Sequence, residues 1–475
     1  MRRPKVLLIL TLALALSAAA YQIAQAWSHH RLDQELPALF ARFRIEALSG
    51  PEFKDSRELV QLGEALFFDK ILSGNRNISC ATCHHPTLSS ADAGSFSIGQ
   101  GGKGLGRDRR QYQAATTLRN APALFNLGYK DIPNLFWDGR VEFRPLEDKK
   151  LRTPARELTS RHPEEMSKLI ASIESTLEAQ VMIPVTDFAE MRGKPGDNEI
   201  ADAYSKAQVW DLLLKRLLSH PQYVSLFQAA FPEKTGLDQL QYTDVAKAIA
   251  AYIRETFQAS QTPMDRYLRG DLEAMTLAQK RGAELFLGKA RCAECHSGRH
   301  LSNFEYASLA IPQFGPGNVM TAWDEGGTYT RGVSLNTTDD FGRYGVTHAP
   351  RDRFLFRVPP LRQVGLTGPW MHNGAFTSLK AALDHILDPE TSLANYEPEG
   401  IERKEFLKNL AKNKEYDAER LASFDPRARL SQALTEAEKR DLLDFIENAL
   451  ADREALSKEH LRVPAAVPSG IDLRD

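Results

Sequence analysis

Apolar residues recur at helical spacing in several separate windows of the chain. Between Glu164 and Gln180 they fall at Met166, Leu169, Ile170, Ile173 and Leu177, one face of a 3.6-residue period. Asp244–Phe257, Leu277–Leu287, Thr377–Leu387 and Thr435–Ala451 carry the same pattern. Thr435 followed by Glu438 is the signature of a capping box opening the last of these helices. Gly94–Gly106 is glycine-rich, and Ser302–Pro350 is rich in Gly, Asn, Asp and Thr. Both read as long loops, the second with a short hairpin. The pattern predicts a mostly α protein with long loops.

The first residues read differently. Arg2, Arg3 and Lys5 precede an uncharged, mostly apolar run from Val6 to Ala20, and Ala24-Gln25-Ala26 offers a small-x-small cleavage site. This is the layout of a signal peptide over residues 1–26, which makes the body of the protein exported. The run is shorter than the roughly 20 residues of a membrane span, and an uncleaved anchor is the alternative. Further on, Gly63-Glu-Ala-Leu-Phe-Phe precedes one cysteine pair and Gly282-Ala-Glu-Leu-Phe-Leu precedes another. That repeat predicts two similar domains, 27–240 and 241–475, with the boundary near Gly236–Tyr242.

The cysteines bring in the chemistry. There are four, Cys80, Cys83, Cys292 and Cys295, in two Cys-x-x-Cys pairs each followed directly by histidine. Exported chains commonly use cysteine for disulfides, but none is left over here. Cys-x-x-Cys-His attaches c-type haem: the thiols add to the vinyl groups and the histidine ligates iron. His84 and His296 are then the proximal ligands of two covalently bound haem c groups, one per domain. A redox dithiol or a zinc site is the bland reading, and nothing else in the chain resembles a zinc ribbon. Reactivity depends on each iron's sixth position. Between His85 and Arg161 there is neither His nor Met, which leaves the first haem without a nearby sixth ligand. The second has His300, Met320, His348, Met371, His372 and His385 as candidates. The formal net charge of −2 gives no reason to expect nucleic acid as a partner.

Around these motifs the chain resembles the bacterial di-haem cytochrome c peroxidase and MauG family, from about Leu59 to Leu450. The matching stretches include Leu-Phe-Phe-Asp-Lys-Ile-Leu-Ser (66–73), Arg-Asn-Ala-Pro (119–122) and Phe-Trp-Asp-Gly-Arg (136–140). Met-Asp-Arg-Tyr-Leu-Arg-Gly-Asp (264–271), Gly-Arg-Tyr-Gly-Val-Thr (342–347), Phe-Arg-Val-Pro-Pro-Leu-Arg (356–362) and Leu-Thr-Gly-Pro-Trp-Met-His-Asn-Gly (366–374) follow. The resemblance implies a periplasmic enzyme with a peroxide-reactive N-terminal haem on His84 and an electron-storing C-terminal haem on His296. It assigns Trp137 to the electron path between the haems and Glu157 to the distal pocket, where a carboxylate can move the two protons of peroxide heterolysis. It assigns Asn120, Thr367 and Pro369 to a Ca²⁺ ion between the domains, for which oxygen ligands are suited.

Two departures stand out. The family's reductively activated peroxidases carry a distal histidine about sixteen residues after the first proximal one; Gln100 stands there, so the first haem is expected to be open. The family's sixth ligand to the second haem falls on Ile386, which cannot ligate iron; His385 is the favoured substitute and Met371 the alternative. Extra length lies around Val181–Ala207, Phe304–Thr338 and Pro389–Leu430 and could shape a docking face. The leading expectation is reduction of hydrogen peroxide with electrons from a small cytochrome c or cupredoxin. The alternative is peroxide-driven oxidation of Trp or Tyr residues of a partner protein; a pure electron carrier ranks below both. A homodimer is compatible with all three.

Overall fold

The computed structural model describes residues 3–50, 52–109, 114–142, 171–315, 321–323, 329–331, 339–399, 407, 410, 414–457 and 461–474. The protein is mostly helical. The strands are pairs of two or three residues: 134–135 with 141–142, 306–307 with 356–357, and 321–323 with 329–331, the last forming the expected hairpin.

Two helix pairs organise the molecule. Helix α1 (Arg3–Arg42) is followed by α2 (Arg57–Phe68), which begins where the Ser56 hydroxyl accepts from the Leu59 amide. α2 buries Leu62, Gly63 and Leu66–Phe68 against α3 (Tyr242–Thr256). A Cβ on Gly63 would lie 1.9 Å from the Ala248 carbonyl oxygen, so only glycine lets the helices approach this closely. The second pair repeats the device. α4 (Leu277–Leu287), α5 (Leu379–Leu387) and α6 (Glu436–Asp444) lie in the second half of the chain. A Cβ on Gly282 of α4 would lie 2.1 Å from the Asp441 carbonyl oxygen of α6. The repeated Gly-x-x-Leu-Phe stretches are thus the contact surfaces of two equivalent helix crossings, each leading into a Cys-x-x-Cys-His motif. α6 opens with the Thr435/Glu438 capping box and widens into a π turn over Phe445–Ala449.

Packing departs from the expected division at residue 240. α3 lies in the first core with Leu62, Leu66, Phe67 and Phe257, so a cut before residue 241 would separate it from its partner helix. Helix α1 runs unbroken through position 26 and buries Leu32, Leu36 and Phe40 in the second core, beside Phe286 and Phe445. The Asp33 carboxylate accepts from the fully buried Lys280 ammonium and the Tyr267 hydroxyl, and Arg31 pairs with Glu284. At the other end, Leu461 and Val467 enter the first core, and Ser469 bonds to Asp69. Each module therefore holds the other's chain terminus. Among the described residues no helix is long and apolar enough to cross a membrane.

Of the helix expected over Glu164–Gln180, residues 164–170 lie outside the described residues; within the described residues a helix runs over Thr176–Val181, where Ser175 caps the Glu178 amide while the Glu178 carboxylate accepts from the Glu174 amide. This reciprocal cap starts a helix where the apolar period alone would carry one through.

Charge and aromatic contacts join the modules. Buried Arg119 donates twice to Asp340 and once to Asp138, and Arg343 donates to the Asp138 and Gly139 carbonyls. Phe96 meets Phe314 edge-on at 5.5 Å. Replacing Arg119 by Met strands two buried carboxylates and is expected to cost about 3–5 kcal/mol in chemical denaturation. Gly282→Ala is expected to destabilise by about 1–3 kcal/mol, read as a lowered unfolding midpoint, because the opposing atom is backbone and cannot swing aside.

Candidate haem centres

The first site is a single helical turn, Cys80–Cys83, opened by Ser79, whose amide donates to the Thr82 hydroxyl. The turn delivers His84 next to both thiols, its amide donating to the Cys80 carbonyl at 2.9 Å. Its Nδ1 lies 3.1 Å from the Ser90 carbonyl oxygen. A carbonyl can only accept, so Nδ1 carries the proton and Nε2 keeps its lone pair. Ser89 and Ser90 adopt left-handed backbone (φ +58° and +59°), which turns that carbonyl back toward the ring. The Ser90 hydroxyl accepts from the Leu124 amide, and the Pro122 backbone lies beside the ring. Burial lowers the pKa of His84, favouring the neutral ring that binds metal.

The second site is built alike. His296 follows the turn Cys292–Glu294, its amide donates to the Cys292 carbonyl, and its Nδ1 donates to the Leu301 carbonyl at 2.9 Å. Burial holds the ring at about 4, and the Pro359 backbone lies beside it. All four cysteines are free of disulfides. Burial pushes the Cys80 and Cys292 thiols up to about 12 and the Cys295 thiol to about 11. A cavity of about 270 Å³ opens against Cys292, Cys295 and His296, walled mainly by apolar side chains such as Phe286, Leu361, Leu383 and Ile446. Paired thiols, one imidazole with a free Nε2 and an apolar slot together suit a covalently attached porphyrin. The pairs do not converge on one centre, as a shared zinc site would require: each lies against its own core.

The expected site residues fall into three groups. Trp137, Asn120, Thr367, Pro369 and Met371 all border the second cavity. The Trp137 indole donates to the Asn120 carbonyl at 3.1 Å, and the Asn120 side chain donates to the Gly94 carbonyl. Glu157 and Met320 lie outside the described residues. His385 is placed against expectation. Its Nε2 donates to the Leu309 carbonyl at 2.8 Å and its Nδ1 faces the Ser392 hydroxyl at 3.0 Å. Both nitrogens are engaged away from the cavity, whose α5 wall is Leu379, Ala382, Leu383, Ile386 and Leu387. The helical period explains this: a residue one position before the inward-facing Ile386 points about 100° away. His372 borders the cavity but is stacked on Phe356 at 3.7 Å with its Nε2 against Gln313, and His300 is tied to Asp131.

Sequence reasoning missed the supporting layer. Arg-Asn-Ala-Pro supplies the interdomain cation Arg119, the indole acceptor Asn120 and the His84 neighbour Pro122. Val-Pro-Pro-Leu-Arg supplies Pro359 beside His296 and Arg362, which grips buried Asp265 through two bonds. Pro122 both flanks His84 and lines the second cavity, so a single layer of chain separates the two centres.

The model of the di-haem cytochrome c peroxidase family matches residues 57–273. The chain is 31% identical to the cytochrome-c peroxidase IdrP1 of Pseudomonas sp. (strain SCT), over 69% of this chain and 72% of that protein. It is 27% identical to the methylamine utilization protein MauG of Methylorubrum extorquens, over 90% of this chain and 89% of that protein. The crystal structure of a MauG-like protein associated with microbial copper homeostasis superposes with a TM-score of 0.58 at 23% identity, covering 88% of this chain and 97% of that one. The chain belongs to the di-haem cytochrome c peroxidase family. It is an oxidoreductase acting on peroxide.

His385→Gln is expected to leave the absorption and EPR spectra of both haems as in the parent; a shifted second-haem signal would place this side chain at the iron after all.

Proposed function

We propose that the chain is a periplasmic peroxidase that carries one haem c on Cys80, Cys83 and His84 and another on Cys292, Cys295 and His296. Hydrogen peroxide is reduced to water at the first centre, and electrons reach it through the second. The observation that carries this reading is the shared wall: Asn120 and Pro122 border the second cavity, Pro122 also flanks His84, and Trp137 is hydrogen-bonded to Asn120. When bound, the two haems supply the iron chemistry that exchanges electrons with peroxide.

The protein's own residues do the rest. His84 and His296 present Nε2 to iron, with the ring orientation held by the Ser90 and Leu301 carbonyls. Glu157 takes a proton from the near peroxide oxygen and returns one to the departing oxygen, a role assigned from the family resemblance. Trp137 offers an aromatic ring between the centres, fixed at its indole nitrogen. Met371, which borders the cavity and carries a ligating sulfur, would help hold the second haem. Asn120, Thr367 and Pro369 supply oxygens for a Ca²⁺ ion at the same wall. The donor of electrons is a small redox protein, a cytochrome c or a cupredoxin. The match to MauG over 90% of this chain favours a second reading, in which the oxidised enzyme draws electrons from Trp or Tyr residues of a protein substrate.

Stopped-flow mixing of the haem-loaded protein with peroxide tests the proposal. Glu157→Gln is expected to slow the peroxide reaction by about 100-fold or more; full retained reactivity would remove Glu157 from the mechanism. Trp137→Phe is expected to leave peroxide consumption by the first haem intact while slowing oxidation of the second. Met371→Leu is expected to convert the second haem from low to high spin in EPR, and an unchanged signal would exclude it as ligand.

A further inference from the structure

The wall between the centres holds one side chain that the function just described leaves unused. Arg357 lies on the short strand 356–357, which pairs with 306–307. Its amide donates to the Trp137 carbonyl at 2.8 Å, and its Nε donates to the Phe136 carbonyl at 3.1 Å. The residue is only 6% exposed and borders the cavity that opens against Cys292, Cys295 and His296. The Nε bond is the guanidinium's one hydrogen bond among the described residues, and its Nη1 is buried with no partner at all.

The other buried arginines show what a structural arginine looks like in this protein. Arg343 donates to the Asp138 and Gly139 carbonyls and to Glu142. Arg362 donates twice to Asp265, and Arg192 reaches three carbonyls. Each fork is filled. A buried cation with an empty fork is costly, because desolvation is compensated neither by an opposite charge nor by acceptors. No aspartate or glutamate among the described residues borders the cavity to supply that charge. The cavity's further arginines are already committed: Arg362 to Asp265, and Arg291 to the Pro426 and Arg429 carbonyls.

The missing anion is supplied by the occupant that the thiol pair and His296 imply. A haem carries two propionate side chains, both carboxylates, and the rest of this cavity is mainly apolar. We propose that Arg357 is the anchor of a propionate of the second haem, its planar fork taking the carboxylate as a hydrogen-bonded ion pair. The same residue is fastened through its own amide to Trp137, so the pair ties the cofactor's charged edge to the strip that carries the indole. A fixed positive charge at that edge disfavours the ferric form and raises the second centre's potential. This rests on the haem assignment above and adds Arg357 to the residues that touch the cofactor.

Redox titration of the full-length, haem-loaded protein, followed optically and by resonance Raman without peroxide, tests the anchor; mass spectrometry counts the haems first. Arg357→Met is expected to shift the second haem's oxidised-to-reduced ratio at fixed potential about tenfold toward the oxidised form, a midpoint about 59 mV lower. It is also expected to move that haem's propionate bending band and to leave the first haem's potential and band as in the parent. Arg357→Lys keeps the charge but loses the planar fork, so it is expected to move the band while holding the ratio within about threefold of the parent. An Arg357→Met protein with parental band and potential would overturn the anchor, as would changes confined to the first haem. Where that variant fails to fold or to load haem, an Arg357→Lys protein with the parental band overturns it instead. A chain without haem on Cys292 and Cys295 overturns the anchor and the haem assignment together. The expected shifts in a protein inert to peroxide would sustain the anchor and sink the peroxidase reading; unresponsive variants of a peroxide-reactive parent would do the opposite.

Discussion

A histidine ring has two nitrogens, and in both sites one is committed before any metal arrives. The proton on Nδ1 belongs to a backbone carbonyl, Ser90 in one site and Leu301 in the other. That bond fixes the tautomer and leaves the lone pair on Nε2. It also passes the demand for precision outward, since the carbonyl must itself be held. Ser90 is held by left-handed backbone and by the Leu124 amide on its hydroxyl. Leu301 is likewise left-handed, and the neighbouring Ser302 hydroxyl donates to the Val358 carbonyl at 2.6 Å. Leu124 and Val358 belong to the two strips that carry Pro122 and Pro359. The orientation of each ring thus depends on the strip that lines the space between the centres.

That shared strip explains why so much charge is buried at the junction of the modules. Desolvation disfavours the Arg119 guanidinium, but Asp340 and Asp138 hold it firmly charged. Burial alone would raise the Asp138 carboxyl; the Arg119 and Arg140 guanidiniums overcome that and hold it at about 2. Asp138 follows Trp137 directly, so the ion cluster fixes the backbone that carries the indole. Electron exchange between two centres depends steeply on their separation. A lattice of short, desolvated ion pairs holds a separation better than an apolar seam that can slide, because each bond is directional and costly to strand.

The periodic features of the sequence were legible. Four of the five helices expected from apolar spacing are present within a residue or two of their expected starts, and the capping box of the last stands where Thr435 and Glu438 indicate. The first part of the fifth lies outside the described residues; its last part starts afresh at Thr176, where reciprocal capping by Ser175 and Glu178 is a local chemical signal that hydrophobic period ignores. The repeat with Gly63 and Gly282 announced two modules but not their edges, since a partner helix such as α3 is recognised only by what it touches. His385 was chosen for a related reason. Chemistry selects histidine as a ligand, whereas the side chains that α5 turns to the cavity are Leu379, Ala382, Leu383, Ile386 and Leu387, and the His385 nitrogens face Leu309 and Ser392. The tryptophan, asparagine and methionine of the shared wall could be named in advance because short motifs mark them. The carbonyls that aim the histidines could not, because a carbonyl belongs to every residue and leaves no trace in composition.

The exchange of chain ends between modules has a consequence in time. Asp33 meets Lys280 across 247 residues, and Asp69 meets Ser469 across 400. Helix α1 waits for its seat until the segment carrying Lys280 has been made, and the first core stays unsealed until the segment carrying Val467 and Ser469 joins it. Neither module can mature as an independent unit while the other is still being made.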